Sequence, residues 1–117
     1  MKKLIFAISL CIACGAHAAE MVLSIPAQFQ GVWAKPSECQ SYKESGVTDG
    51  GIEVMPSAIQ QYETGCSLGK IIHADAITFT GQFACSVEGN TSSETISLKR
   101  TKGGLRYNDS DALSHCK

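Results

Sequence analysis

The chain has 117 residues, of which 44% are hydrophobic and 18% charged, with 10 Lys and Arg against 11 Asp and Glu. That length accommodates one domain, and the balanced charge offers no basic stripe of the kind that nucleic-acid binding requires. No apolar stretch reaches the roughly 20 residues of a membrane-spanning helix.

Residues 1–18 read as an export signal. Lys2 and Lys3 precede an unbroken apolar run at residues 4–13, and Ala16-His17-Ala18 supplies the small side chains that a signal peptidase reads. Cleavage is expected after Ala18 or one residue later, leaving one mature domain, residues 19–117, with a net charge of −3 once Lys2 and Lys3 are gone. Lipid modification at Cys14 is the competing reading; it wants Leu three residues earlier, where the chain has Cys11. A periplasmic or secreted location, of bacterial type, follows.

Ser24 is placed to cap a short turn through Pro26, Ala27, Gln28 and Phe29. The first strand then opens at Phe29-Gln30-Gly31-Val32-Trp33. Residues 35–51 hold Pro, Ser, Gly, Thr and Asp, and read as a long loop anchored by Cys39. Met55-Pro56-Ser57-Ala58 is a turn between strands at 52–54 and 59–62. The strongest pattern is a period-2 run in which Ile77, Phe79, Gly81, Phe83, Cys85 and Val87 alternate with mostly polar residues, as a half-buried strand requires. Gly89-Asn90 supplies a turn, Ile96 and Leu98 continue the alternation, and Lys102-Gly103-Gly104 interrupts it before Leu105. Lys99, Arg100, Lys102 and Arg106 form a local basic cluster around that last turn.

Registers follow from placing apolar residues opposite one another. A hairpin turning around residues 73–76, with paired residue numbers that sum to 151, sets Ile72 against Phe79, Leu68 against Phe83 and Cys66 against Cys85, with Lys70 opposite Gly81 as the one misfit. A hairpin centred on Gly89-Asn90 sets Phe83 against Ile96 and Gly81 against Leu98, and Leu98 can then face Tyr107. The expected fold is all-β: a small antiparallel meander of seven or eight strands, closed or partly open as a barrel, which removes exposed edges, with a sandwich as runner-up.

Four cysteines remain after export, spaced too far apart for a zinc site, so two disulfides are expected. The opposed strand positions pair Cys66 with Cys85, leaving Cys39 for Cys116.

The segment Phe29-Gln30-Gly31-Val32-Trp33 resembles the Gly-x-Trp signature of calycin-like barrels, which include lipocalins, avidins and a family of small bacterial periplasmic metalloprotease inhibitors. In such a barrel Gly31 permits close approach of the backbone, and Trp33 plugs one end. The mature length is similar to that of the inhibitors. In them an arm ahead of the barrel enters the protease cleft, which implies partner contact through Glu20, Met21, Val22, Leu23 and Ser24. The chain departs from that pattern in offering two disulfides rather than one.

No catalytic set is legible. All four mature cysteines are committed to bridges, His73 near Asp75 reads as an exposed turn pair, and Glu53, Glu63 and Glu88 read as a solvated face of strands. Asp109-Ser110-Asp111 after Asn108 lacks the further oxygens and glycine of a calcium loop, and no cofactor motif is present. The expectation is a non-enzymatic exported module that binds another extracytoplasmic protein, of hydrolase or toxin class, as an inhibitor or immunity protein. Its contacts would be the N-terminal arm and residues 35–51. The alternatives are a carrier of a small apolar ligand and a structural envelope protein. With Phe79, Phe83, Trp33 and Tyr62 expected to point inward, the interior should be filled, which favours the binding module.

Overall fold

The computed structural model describes residues 23–46 and 50–117; the proposed signal and Glu20, Met21 and Val22 lie outside them. Eight antiparallel strands, each paired with the next in sequence, close into a barrel when the last returns to the first. They are β1 (Gly31–Ala34), β2 (Ile52–Val54), β3 (Ala58–Gln61), β4 (Thr64–Ala74), β5 (Thr78–Val87), β6 (Asn90–Thr101), β7 (Gly104–Tyr107) and β8 (Leu113–Cys116). Both expected disulfides are formed, Cys39–Cys116 and Cys66–Cys85.

The inner wall is apolar and full. Ile25, Phe29, Trp33, Ile52, Val54, Ile59, Phe79, Phe83, Ile96, Leu98, Leu105 and Leu113 form one buried cluster that also takes in Cys66 and Cys85. Phe79 and Phe83 meet edge to face with centroids 6.5 Å apart. Gly81 sits between them because a Cβ there would come within 2.9 Å of Leu68 Cδ1 and 3.1 Å of both rings. Tyr62, expected inside, is 61% exposed: it occupies the β3–β4 turn, beyond the last rung where a side chain can face the core. Ile77 and Val87, at the two ends of the alternating run, are also largely exposed, because the strand outruns the interior at both ends.

Two registers differ from expectation. The β4–β5 ladder begins as expected, with Cys66 opposite Cys85 and Leu68 opposite Phe83, and then slips at irregularities between Leu68 and Lys70 and between Ile71 and His73. The first slip sets Lys70 against Gln82 and Ile71 against Gly81, and the second sets Ala74 against Phe79, leaving Ile72 exposed. The Lys70 misfit therefore marks a bulge. An extra residue moves the lysine off the apolar face and adds the local twist that barrel closure uses. The β5–β6 turn falls at Glu88-Gly89, one residue before its expected centre, which moves each cross-strand partner by two, so Gly81 faces Ile96 and Phe79 faces Leu98. A shift of two preserves the inward set, since side chains alternate with period two. Leu98 faces Tyr107 as expected.

Residues 35–51 hold a helix that the expected loop omitted. The helix α1 (Pro36–Ser45) has Pro36 in its first turn, Glu38 near its start, Lys43 near its end and a left-handed Gly46 as C-cap, whose N–H donates to Tyr42 O at 2.7 Å. Those are helix-terminus signals. Hydrophobic periodicity does not reveal the helix between them, because α1 has no apolar stripe and no buried residue of its own. It lies outside the barrel, where Cys39 and Tyr42 pack on Val32, Ala34 and Cys116.

One end is closed by the segment ahead of β1. Ile25 donates to Pro56 O, a 3-10 turn at Ala27–Phe29 follows, and Ile25 and Phe29 are fully buried. Pro26 occupies the cap position there, and no side chain caps the turn. The expected Ser24 cap does not form, since Ser24 Oγ turns to Ile25 O at 3.4 Å. Trp33 lies beneath, donating from its indole N–H to Phe29 O at 3.0 Å, with the Arg100 guanidinium 5.2 Å from its ring centroid. Arg100 also donates to Gln28 O and Gly104 O, tying β6 to the 3-10 turn. Gly31 adopts φ 121°, and a Cβ there would stand 2.5 Å from His115 Nε2. The close neighbour that Gly31 admits is thus the His115 ring, itself packed on Trp33 at 4.7 Å between centroids.

Candidate functional site

The opposite end is an open mouth. Strand directions bring four features there: the exit of β1 with Gly50 and Gly51, the β3–β4 turn at Tyr62 and Glu63, the β5–β6 turn at Glu88-Gly89, and the segment between β7 and β8. A depression of about 520 Å³ opens among them, with Tyr62, Tyr107, Ile52 and Leu113 as its apolar lining and Lys35 and Asp111 at its rim. Tyr107 is half-buried. Loss of water around its hydroxyl raises its pKa, a hydrogen bond with Gln61 opposes the shift, and the Glu94 charge adds to it. Glu94 shares the inward parity of Ile96 and Leu98 on β6 but lies beyond the filled interior, where it accepts from Ser92 Oγ at 3.3 Å. Extending that parity by one step along the sequence would have found it. A second depression, of about 300 Å³, runs outside the barrel between Tyr42 and Gly46 of the α1 segment and Gln60 to Glu63.

Among the described residues, three that are not glycine hold a left-handed backbone: Glu63 at φ 60°, Glu88 at φ 48° and Asn108 at φ 52°. All three lie in turns of the mouth. Asparagine is at ease there, and its Oδ1 accepts from Ser97 N at 2.8 Å. The two glutamates are not, since glycine or asparagine would hold these turns at lower cost. Glu63 and Glu88 therefore belong to turns and not to strands, which period-2 counting cannot distinguish at a strand's last residue. With Glu94, Asp109 and Asp111 they place five acids toward this end of the barrel; Asp111 lines the first depression beside Lys35, and Glu63 lines the second.

Of the expected contact residues, Leu23 and Ser24 are exposed beside the closed end. The segment after β1 leaves from the mouth, so the structure does not bring the two expected contact segments together. Asn108 to Asp111 form a turn held by Ser110, which accepts from Tyr107 N and donates to Asp111 O.

His73 and Asp75 meet at 2.7 Å in the β4–β5 turn, at the closed end. Asp75 Oδ1 accepts from Ile77 N and Thr78 N, the bonding of an Asx turn. These bonds, the one from Thr78 foremost and then those from His73 and Ile77, hold the Asp75 carboxyl well below the usual range, at about 2. A depressed folded pKa stabilises above the unfolded value of 3.8 and loses that contribution as pH falls through about 2. Urea midpoints of the wild type should therefore fall between pH 4 and pH 2 more steeply than those of Asp75→Asn, which keeps an acceptor for the turn without the titration. Parallel midpoints for the two proteins would remove the carboxylate from this account.

No protein-family model, characterised protein or solved structure matches this chain. Among the described residues, no helix is long and apolar enough to cross a membrane.

Proposed function

We propose that the exported, oxidised chain is a non-enzymatic binding module whose barrel mouth receives a basic surface of another extracytoplasmic protein, of hydrolase or toxin class. The observation that carries the reading is the rim. Glu63 and Glu88 occupy strained turn positions at the same end of the barrel as the depression, which presents the exposed ring of Tyr62 and has Asp111 in its lining. Tyrosine beside a concave, partly apolar surface is the usual anchor of protein contacts, and a charged rim steers an oppositely charged partner. The occupied interior supports this reading over that of a carrier, because the core side chains fill the space an internal ligand would need. Two disulfides and a residue 1–18 segment of signal type support export.

The experiment is to titrate the oxidised protein against basic and acidic exported hydrolases, lysozymes and metalloproteases among them, recording complex formation and residual activity. Complexes should form with basic members and weaken as salt rises. Tyr62→Ala should cost about 2 kcal/mol of affinity, roughly thirtyfold. Binding indifferent to Tyr62 and to charge reversal at Glu63 and Glu88 would refute the mouth as the contact surface. A lipid or pigment released from protein isolated from its own compartment would favour the carrier.

A further inference from the structure

The end of the barrel opposite the mouth carries the reverse charge. Lys99 of β6 and Arg106 of β7 are direct cross-strand partners, both exposed, and Thr78 at the base of the β4–β5 turn is the next partner of Lys99. Like charges set directly opposite each other are unfavourable in a sheet. Lys102 stands in the adjacent β6–β7 turn, and the bulge at Gly69 turns Lys70 onto the outer wall of the β4–β5 hairpin. None of these four cations makes an ion pair among the described residues, where the ion pair present is His73 with Asp75. Among the described residues, Asp75 is also the one acid in the turns of this end, and its carboxylate is engaged with His73, Ile77 N and Thr78 N.

The same hairpin holds apolar side chains in water. Ile72 and Ile77 are 53% and 52% exposed. Ile77 is not there through slack in the loop. Its N–H is bonded to Asp75 Oδ1 and its carbonyl accepts from Arg100 N, so the backbone is fixed while the side chain projects. Leu23, on the segment entering this end, is exposed as well. A rigid hairpin tip with two isoleucines, next to four unpaired cations and opposite an acidic mouth, matches the chemistry of an anionic lipid surface. Cations meet the headgroups, and short apolar side chains enter the boundary of the acyl region.

We propose that the closed end docks on an anionic membrane surface through Ile72, Ile77, Lys99 and Lys102, which directs the mouth away from the lipid. Charge commits the occupant: repulsion from the lipid keeps the acidic rim outward, and the two ends together orient the barrel. The inference is independent of what the mouth binds.

Sedimentation of the oxidised protein with phosphatidylglycerol–phosphatidylcholine vesicles, against pure phosphatidylcholine vesicles, tests it. Binding is expected to the anionic vesicles, to weaken with salt, and to be nearly absent on the neutral ones. Lys99→Gln and Lys102→Gln should each lower partitioning about fivefold. Ile72→Asp with Ile77→Asp should lower it by tenfold or more. Both sites are at the surface, so circular dichroism should show an unchanged barrel, and Glu63→Gln at the far end should bind as the wild type does. Any of three results would overturn the proposal: equal binding to both vesicles, competition by free inorganic phosphate to the same degree as by lipid, or concentration-dependent dimers that bury the isoleucines without lipid.

Discussion

Replacing Cys39 and Cys116 together by alanine should lower the stability of the domain by about 4 kcal/mol and free α1 from the barrel wall. The bridge spans a sequence separation of 77 residues, and in the chain-entropy account a loop of that length carries roughly that contribution. Set against the 5–15 kcal/mol that a whole domain retains, it is a large share. A ten-residue helix is marginal alone, and α1 has no buried residue of its own and no side-chain N-cap. What holds it is the bridge, with Tyr42 packed on Val32 and Ala34. Amide exchange in α1 should therefore approach that of an open chain in the double variant while the strands stay protected. A loss below about 1 kcal/mol with α1 still protected would show that Tyr42 suffices. The Cys66–Cys85 bridge closes a shorter loop, over a separation of 19, and its removal should cost less, about 3 kcal/mol in the same account.

The second large effect is expected at Trp33. It is 3% exposed and unites three contacts: the bond to Phe29 O, the cation above its face and the His115 ring. Trp33→Ala should cost about 3–5 kcal/mol, from a cavity under the closed end together with a carbonyl that has lost its donor. Trp33→Phe should recover part of the packing but not the hydrogen bond. Arg100→Ala should cost less than Trp33→Ala, since its partners Gln28 O and Gly104 O remain near solvent. Urea denaturation followed by far-ultraviolet circular dichroism measures all three, because Trp33 is the only tryptophan and its fluorescence is lost with it. If Trp33→Ala changed stability by less than 1 kcal/mol, the closed end would be held by Ile25 and Phe29 instead.

The mouth was only partly legible in the sequence. Tyr62 is expected inward with Phe79, Phe83 and Trp33, as a large ring at the end of the run at 59–62. Whether such a residue is the last of a strand or the first of a turn depends on where the partner strand ends. Glu63 and Glu88 show the same limit: a turn that takes glutamate in a left-handed conformation bears no residue signature of the kind that Gly89 or Asn108 bears. The helix α1 had its terminal signals in plain view, but no periodicity to draw attention to them. Ile72 counts as core because bulges are invisible to a strict period of two, although the Lys70 misfit points to one, and Ile77 because alternation does not show where the strand begins.

Local chemistry by itself determined the all-antiparallel meander, the inward identities of Phe79, Gly81, Phe83, Ile96 and Leu98, and both cysteine pairings. All but one follow from alternation and adjacency, which act over a few residues and one neighbouring strand; the Cys39–Cys116 pairing follows by elimination once Cys66 and Cys85 are opposed. Only the closed tertiary structure decided which residues fall beyond the filled interior, how the bulged hairpin turns Lys70 and Ile72 outward, and that acids gather at one end while cations gather at the other. Those outcomes depend on the stagger of eight strands around a barrel, a property of the whole ring that no single hairpin contains.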